Sequence, residues 1–314
     1  MRLFDRLRNK LSKLIPYKGV EDCFKQPDDI RIFTNTRIHP YTGLYLNEND
    51  KVIAASAFHD HKLEKLVNRS RVLRTIESDH AASIGHGSWN NYYHWYIDSL
   101  PRVYGLRNTE CEIELFVSQI LSKEEKQLLN ALAGDKVKIR FVSMFTIVKA
   151  KTAYYLPFLS ESCNAELSAS YLRFFQGTAF KLFPQTPPAA PFKIFISRAG
   201  SGRRVFKNQL EVEEVMQKYG YMILQLETLT LSQQIYYFRF AERVVGSHGA
   251  GLTNLLYTSN CSVLEIFHSD EILGHYKGLC KALGLNYDYL SLSGKHKDET
   301  VLLPVERIKD WITQ

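Results

Sequence analysis

Two kinds of apolar spacing run along this chain. After residue 191, short runs rich in Ile, Val, Phe and Tyr alternate with longer stretches whose apolar residues recur every three or four positions. The runs Lys193–Ser197, Tyr221–Leu226, Arg243–Gly246 and Ser262–Phe267 predict strands, and Gln209–Tyr219, Leu231–Ala241 and Gly251–Tyr257 predict helices between them. Short buried strands joined by helices make a parallel, doubly wound sheet. A last helix, about Val305–Thr313, has room to cross back toward the first half of the chain.

The first half is less regular. Residues 30–55 alternate and contain Gly43, which predicts a short β-meander, and a strand follows at 71–76. A loop rich in Gly, His, Trp and Asn, Gly85 to Asn91, leads into a predicted helix from about Tyr92 to Leu106. Strands at 113–117, 137–142 and 152–156 and helices at Lys123–Leu132 and 164–181 complete an α/β pattern. Between the halves, Pro184 to Pro191 carries four prolines in eight residues. Such a segment is stiff and extended, and it predicts the domain boundary. The expected division is an arm at 1–18, domains at 19–183 and 192–303, a linker at 184–191 and a C-terminal helix at 304–314.

Bulk properties refine this picture. A chain of 314 residues exceeds what one core usually holds. Of the formal charge of +7, residues 1–18 hold +5, with Arg2, Arg6, Arg8, Lys10, Lys13 and Lys18 against Asp5. No comparable basic cluster exists elsewhere, so a nucleic-acid surface is not expected. In residues 2–15, Leu3, Leu7, Leu11, Leu14 and Ile15 recur at helical spacing among those charges. A basic amphipathic helix of this kind lies on an anionic membrane surface or packs on the protein's own body. The five cysteines are scattered, without a C-x-x-C pair, which fits a reducing compartment. No apolar run approaches the roughly 20 residues of a membrane span, and no signal-peptide core is visible. The expected location is cytoplasmic, peripheral on the inner face of the membrane where the arm engages it.

Three blocks carry candidate chemistry. Gly246-Ser247-His248-Gly249-Ala250-Gly251-Leu252-Thr253-Asn254 follows a predicted buried strand and opens a helix. Small residues there admit a ligand to the backbone, and a helix N-terminus offers free N–H groups to a phosphate. The order is neither the dinucleotide fingerprint nor a P-loop, and a tight packing turn is the plainer reading. Ser197-Arg198 ends a predicted strand, followed by Arg203, Arg204 and Asn208 in a glycine-containing loop. Ligands of open α/β sheets bind at such strand ends, where a guanidinium can clamp a phosphate. Asn208 with Glu211 also has the spacing of a helix cap. The third block runs from Asn90 to Arg102, where His94 and Asp98 stand four apart on one predicted helix face. They make an acid/base pair or a buried structural one. His59-Asp60-His61 has metal-ligand types but no identifiable third ligand.

Taken in order, these blocks resemble glycosyltransferase family 61. The resemblance rests on Tyr93-His94-Trp95-x-x-Asp98-Ser99-Leu100-Pro101-Arg102, then Ile196-Ser197-Arg198 with Arg203 or Arg204 and Asn208. It continues through Glu227, Gln233 or Gln234, Ala241 and Val245 to Asn254, and ends at Glu265-Ile266. It implies a GT-B architecture, two Rossmann-like domains facing a central cleft, and transfer of a sugar from a nucleotide diphosphate donor, UDP-linked, with inversion. The acceptor implied is a glycan or a lipid-linked glycan, in surface polysaccharide biosynthesis. The second domain would hold the donor through Ser197, Arg198, Arg203, Arg204, Asn208, Glu227, Ser247, His248, Gly249, Ala250, Gly251, Leu252, Asn254 and Glu265. The first would serve the acceptor, with Asp98 or His94 as base; spacing does not decide between them. No Asp-x-Asp triplet occurs, so cationic side chains rather than a metal are expected to meet the leaving phosphate. A non-catalytic nucleotide- or glycan-binding protein of the same fold is the rival reading.

Overall fold

The computed structural model describes residues 30–53, 73–86, 91–159, 164–294 and 300–313. The basic arm and the His59-Asp60-His61 triplet lie outside the described residues. The chain divides into two compact units: residues 1–122 with 129–161, and residues 123–128 with 162–314.

The first unit is built on a six-stranded mixed sheet ordered β2-β1-β6-β3-β4-β5. Its strands are β1 (Arg31–His39), β2 (Leu44–Leu46), β3 (Arg74–Ser83), β4 (Ile113–Val117), β5 (Val137–Phe141) and β6 (Thr146–Tyr155). β1 pairs antiparallel with β2 and β6, while β6, β3, β4 and β5 run parallel. Gly43 closes the β1–β2 hairpin at φ 74°, a conformation that favours glycine. The Tyr45 hydroxyl donates to the Tyr154 carbonyl at 2.8 Å and accepts from the Ser83 amide at 2.9 Å, fastening the hairpin to the parallel strands. Ile38, Ala81, Phe116, Val148 and Tyr155 belong to its buried core. Strands β3 and β6 reach well beyond the predicted 71–76 and 152–156, because each is paired on both sides and its polar residues face outward in register.

Helix α1 follows β3. The predicted continuous α-helix is instead a chain of three windings: α over Tyr92–His94, π over Trp95–Ser99 and 3₁₀ over Leu100–Asn108. Asn91 caps it, accepting the Tyr93 amide at 2.9 Å. The cause of the change is Pro101, which has no N–H to donate; Leu100 reaches back five residues to the Trp95 carbonyl. Helix α2 (Lys123–Ala133) links β4 to β5.

The second unit holds a five-stranded, all-parallel sheet ordered β11-β10-β9-β7-β8. Its strands are β7 (Phe192–Ile196), β8 (Tyr221–Leu224), β9 (Ala241–Ser247), β10 (Ser262–Phe267) and β11 (Asn286–Ser291). The helices are α3 (Ala169–Leu182), α4 (Gln209–Lys218), α5 (Leu231–Arg239), α6 (His275–Leu283) and α7 (Glu306–Thr313). The chain leaves β7 toward β8 and returns to the other side at β9, so the order reverses between β7 and β9. That reversal opens the crevice in which doubly wound sheets bind ligands.

Three expectations change here. The extended segment 184–191 lies inside the second unit: α3, which precedes it, belongs there, with the Gln176 amide donating to the Leu256 and Thr258 carbonyls at 2.9 Å. The C-terminal helix does not cross back. Ile308 and Ile312 of α7 are buried in the second unit's core with Phe195, Val212 and Met216, and Arg243 lies over the Trp311 ring. The segment Ala250–Tyr257 winds as a 3₁₀ helix, and α6 and β11 are elements that the apolar pattern missed.

Candidate active site

In the first unit, the carboxyl end of β3 carries the chain into Ile84, Gly85 and His86, and α1 brings His94 and Asp98 beside it. The Cα of Gly85 packs directly against the backbone of the β1–β2 turn; a Cβ there would overlap the Pro40 carbonyl. Arg102 fixes this corner. Its buried guanidinium donates to the Leu156 carbonyl at 2.7 Å and the Gly85 carbonyl at 3.0 Å, and it lies 4.4 Å from the Phe158 ring centroid.

His94 Nδ1 meets Asp98 Oδ2 at 2.6 Å. His86 stacks on His94 with centroids 4.7 Å apart, and its Nε2 stands 3.9 Å from the same carboxylate oxygen. The Asp98 side chain is 0% exposed and that of His94 24%. Burial raises the Asp98 pKa, while the hydrogen bond and charge of His94 and the charge of Arg102 oppose the rise. The spacing argument therefore holds: four residues apart on α1 bring the two side chains into contact. His86, which sequence reasoning left in a loop, joins them; its signal was a histidine at the carboxyl end of a strand.

Among the described residues, His86, His94 and Asp98 are also the grouping whose ligand-type atoms lie within 4.8 Å of one another. The residue types suit a divalent cation. The buried Arg102 already supplies positive charge that lowers the Asp98 pKa, however, so the carboxylate has a fixed counter-charge.

In the second unit the reversal point of the sheet brings two predicted blocks together. Strand β7 ends at Ser197-Arg198 and β9 at Ser247-His248. Arg204 donates to the His248 carbonyl, and the Arg198 Nε donates to the Arg203 carbonyl at 2.9 Å, which folds the arginine loop back on itself. A Cβ on Gly249 would overlap the Arg198 guanidinium and come within 3.5 Å of Arg204 Nη1. Two guanidinium groups thus converge on the backbone of Gly249, just before the 3₁₀ helix whose first N–H groups lack helical acceptors. At Gly251 a Cβ would press to 2.9 Å from Leu226, so this glycine serves close packing.

His248 Nδ1 meets Glu265 Oε1 at 2.5 Å, and the Tyr287 hydroxyl donates to Glu265 Oε2 at 2.7 Å. The Glu265 side chain is 0% exposed, that of His248 12%. Glu265 was expected among the donor contacts; both its oxygens are engaged, one by His248 and the other by Tyr287, and it has no exposed surface. Other predicted donor residues also have partners within the protein. Ser197 donates to Glu213 at 2.6 Å, and Asn208 bridges the backbone of Leu303. Asn254 donates to Gln234 at 2.8 Å and Leu252 is fully buried. The Ser247 hydroxyl pairs with His268 Nε2 at 3.0 Å. Arg203 and Glu227 are exposed on the loop and on the short 3₁₀ turn Leu226–Thr228, and Ala250 is half-buried at the start of the helix.

The fold and these two histidine–carboxylate dyads define an α/β enzyme with a basic, glycine-lined turn at the reversal point of a parallel sheet. The sequence matches glycosyltransferase 61 over residues 92–264, more than half of the chain, and the chain belongs to that family of glycosyltransferases. It is 30% identical over 107 residues to the EGF domain-specific O-linked N-acetylglucosamine transferase of Drosophila melanogaster, a match covering 33% of this chain and 21% of that protein. The chain thus aligns with about a fifth of that relative's length. Among solved structures it is similar to the bacterial iron-containing dodecameric glycosyltransferase TibC from enterotoxigenic E. coli H10407. That similarity has a TM-score of 0.33 and 11% identity, over 84% of this chain and 87% of the other, too low to bear on the fold or the chemistry.

Proposed function

We propose that the chain is an inverting glycosyltransferase of GT-B type that moves a sugar from a nucleotide diphosphate donor, UDP-linked, to a glycan hydroxyl, with His94 as the base. The observation that carries the assignment is the unequal exposure of the dyad. A general base must come within hydrogen-bond reach of the proton it removes. Asp98 has no exposed side-chain surface, whereas His94 has, and its Nδ1 is already held by Asp98. The carboxylate keeps the proton on Nδ1 and leaves the Nε2 lone pair to the acceptor. This arrangement makes Asp98 the positioning residue.

In the step itself the acceptor oxygen bonds to the anomeric carbon as its proton passes to His94 Nε2. The bond from that carbon to the diphosphate breaks, and its electron pair stays on the phosphate oxygen. Arg198, Arg204 and the turn at Gly249 meet that growing charge, as preorganised donors do in the best-characterised electrostatic sites. A metal is not required by this scheme. Association with an anionic membrane through residues 1–18, and a role in surface polysaccharide assembly on a lipid-linked acceptor, belong to the same proposal and rest on the sequence.

The test is transfer itself. The purified chain is incubated with a panel of UDP-, GDP- and dTDP-sugars and glycan acceptors, and release of the nucleoside diphosphate is followed with and without EDTA. Acceptor-stimulated release insensitive to EDTA, with an inverted anomer by NMR, is expected. A retained anomer, or release abolished by EDTA, overturns the scheme.

A further inference from the structure

His248 stands among charged and aromatic side chains. Its Nδ1 is bonded to a carboxylate, Glu265, that is wholly buried on β10. From β11, Tyr287 gives that carboxylate a second hydrogen bond; burial and the neighbouring glutamate raise the phenol's pKa far above its usual range, so it stays a donor. From α6, the His275 ring lies 5.5 Å and the Tyr276 ring 5.6 Å from the imidazole, and the Cys280 thiol, its pKa raised by burial, sits near Glu265. Phe267 stacks on the imidazole at 5.1 Å. From the arginine loop, Arg204 holds the His248 carbonyl and Arg198 reaches Gly249. The negative charge at the imidazole is thus Glu265; the positive charges are the two arginines and, when protonated, His275.

With Nδ1–H committed to Glu265, only Nε2 is left for a ligand. In the neutral imidazole Nε2 is a lone pair, which repels a phosphate oxygen; in the imidazolium it is a donor. We infer that a nucleoside diphosphate engages His248 as an imidazolium held by Glu265, so that binding of the diphosphate takes up a proton and weakens as pH rises. This rests on the reading of Arg198, Arg204 and the Gly246–Gly251 turn as the diphosphate site. Glu265 is then a positioning residue that sets the pH range over which the site holds its ligand, and Tyr287 moderates it by sharing the carboxylate's charge.

The experiment is titration calorimetry of the full chain with UDP, and with GDP and ADP alongside, from pH 6.5 to 9 in two buffers of different ionisation heat. Wild-type chain is expected to take up protons on binding, with affinity falling toward tenfold per pH unit at the alkaline end. In H248Q that fall disappears, which separates it from titration of the nucleotide itself. In E265Q the fall begins at a pH lower by at least about one unit, the size of shift an adjacent opposite charge produces. In Y287F, where the full carboxylate charge faces the imidazole, it begins at a higher pH. A merely structural role for Glu265 and Tyr287 would move both variants the same way or not at all, and either result overturns the inference. Should E265Q fail to fold, Y287F removes only one hydroxyl and still decides the sign. If UDP, GDP and ADP all fail to bind the wild-type chain, the diphosphate site itself is overturned, an outcome distinct from pH-independent binding.

Discussion

Asp98→Asn isolates what the buried carboxylate does for His94. Asn keeps the volume of the side chain in a site with no exposed surface. It removes the charge from the 2.6 Å contact with Nδ1. An amide can also present its N–H to Nδ1, which moves the imidazole proton to Nε2 and fills the lone pair that should accept the substrate's proton. Loss of a positioned base costs roughly 10²–10⁴-fold in turnover, about 3–5 kcal/mol at 1.36 kcal/mol per decade. Stability should move differently. Burial raises the Asp98 pKa, so folding favours its neutral form. Its contribution is complete below the unfolded carboxylate range and lost as pH rises through the raised folded value. The cost of burying the ionised group is one that Asn does not carry, while Arg102 keeps its carbonyl acceptors at Leu156 and Gly85. The assay is single-turnover transfer at saturating donor, with thermal melting of the same samples. Turnover within about threefold of wild type refutes the dyad, since general-base loss is larger by an order of magnitude or more. A lost activity that comes with a collapsed Tm would make Asp98 structural.

Gly249→Ala should weaken UDP binding by about 10–100-fold, the worth of one charged hydrogen bond, without lowering Tm. Its φ of 164° is extended backbone that alanine adopts, but the new Cβ displaces the Arg198 guanidinium; unchanged calorimetric affinity would remove Arg198 from the site. Gly85→Ala should cost about 3 kcal/mol in urea denaturation, as overpacking against fixed backbone does, because its Cβ meets the Pro40 carbonyl; a shift below 1 kcal/mol would show that the β1–β2 turn is free to move. His39, buried against Thr42, has its pKa pushed down by burial to about 4. Folding favours its neutral form, so its contribution is complete above pH 6.5 and is lost as pH falls toward 4, about 3 kcal/mol in all. Urea midpoints of His39→Gln should accordingly fall less than those of wild type across that range, and parallel curves would sink the argument.

Much of the fold was legible because periodicity is a local signal. Ile113–Val117 and Ser262–Phe267 were read from apolar runs alone. Helix α6 was missed although Tyr276, Leu279 and Cys280 keep helical spacing on its buried face; it is only nine residues long, and Gly278 lets it approach the Asn164 carbonyl. The His94–Asp98 contact was legible for the same local reason, since four residues on one helix face is a fixed distance. His248 and Glu265 are seventeen residues apart and meet only because β9 and β10 pair in parallel, with Glu265 opposite Gly246. Arg102 closed the family motif without a role assigned to it, and only the fold shows it buried on two carbonyls and two rings. Asn208 and Asn254 belong to the right motifs, but residue identity does not separate a side chain that binds a ligand from one that braces the loop doing so.

The two dyads share a plan, a wholly buried carboxylate holding the Nδ1 of a partly exposed histidine, yet the chemistry asks opposite things of them. His94 must be neutral at Nε2 to accept a proton, and His248 must be protonated there to meet a phosphate. Both demands are satisfied together only over an intermediate pH range, so kcat/KM for the donor should follow a bell whose limbs belong to different histidines. At saturating donor the bound phosphate holds the proton on His248, and the alkaline limb should vanish from kcat while the acid limb stays. E265Q should draw the alkaline limb of kcat/KM to lower pH and leave the acid limb in place, because Glu265 touches only His248 and Tyr287 among the groups in question. Rates measured from pH 5 to 9.5 at limiting and saturating donor separate these cases. An E265Q profile that matches wild type on both limbs would remove Glu265 from the pH dependence of donor capture.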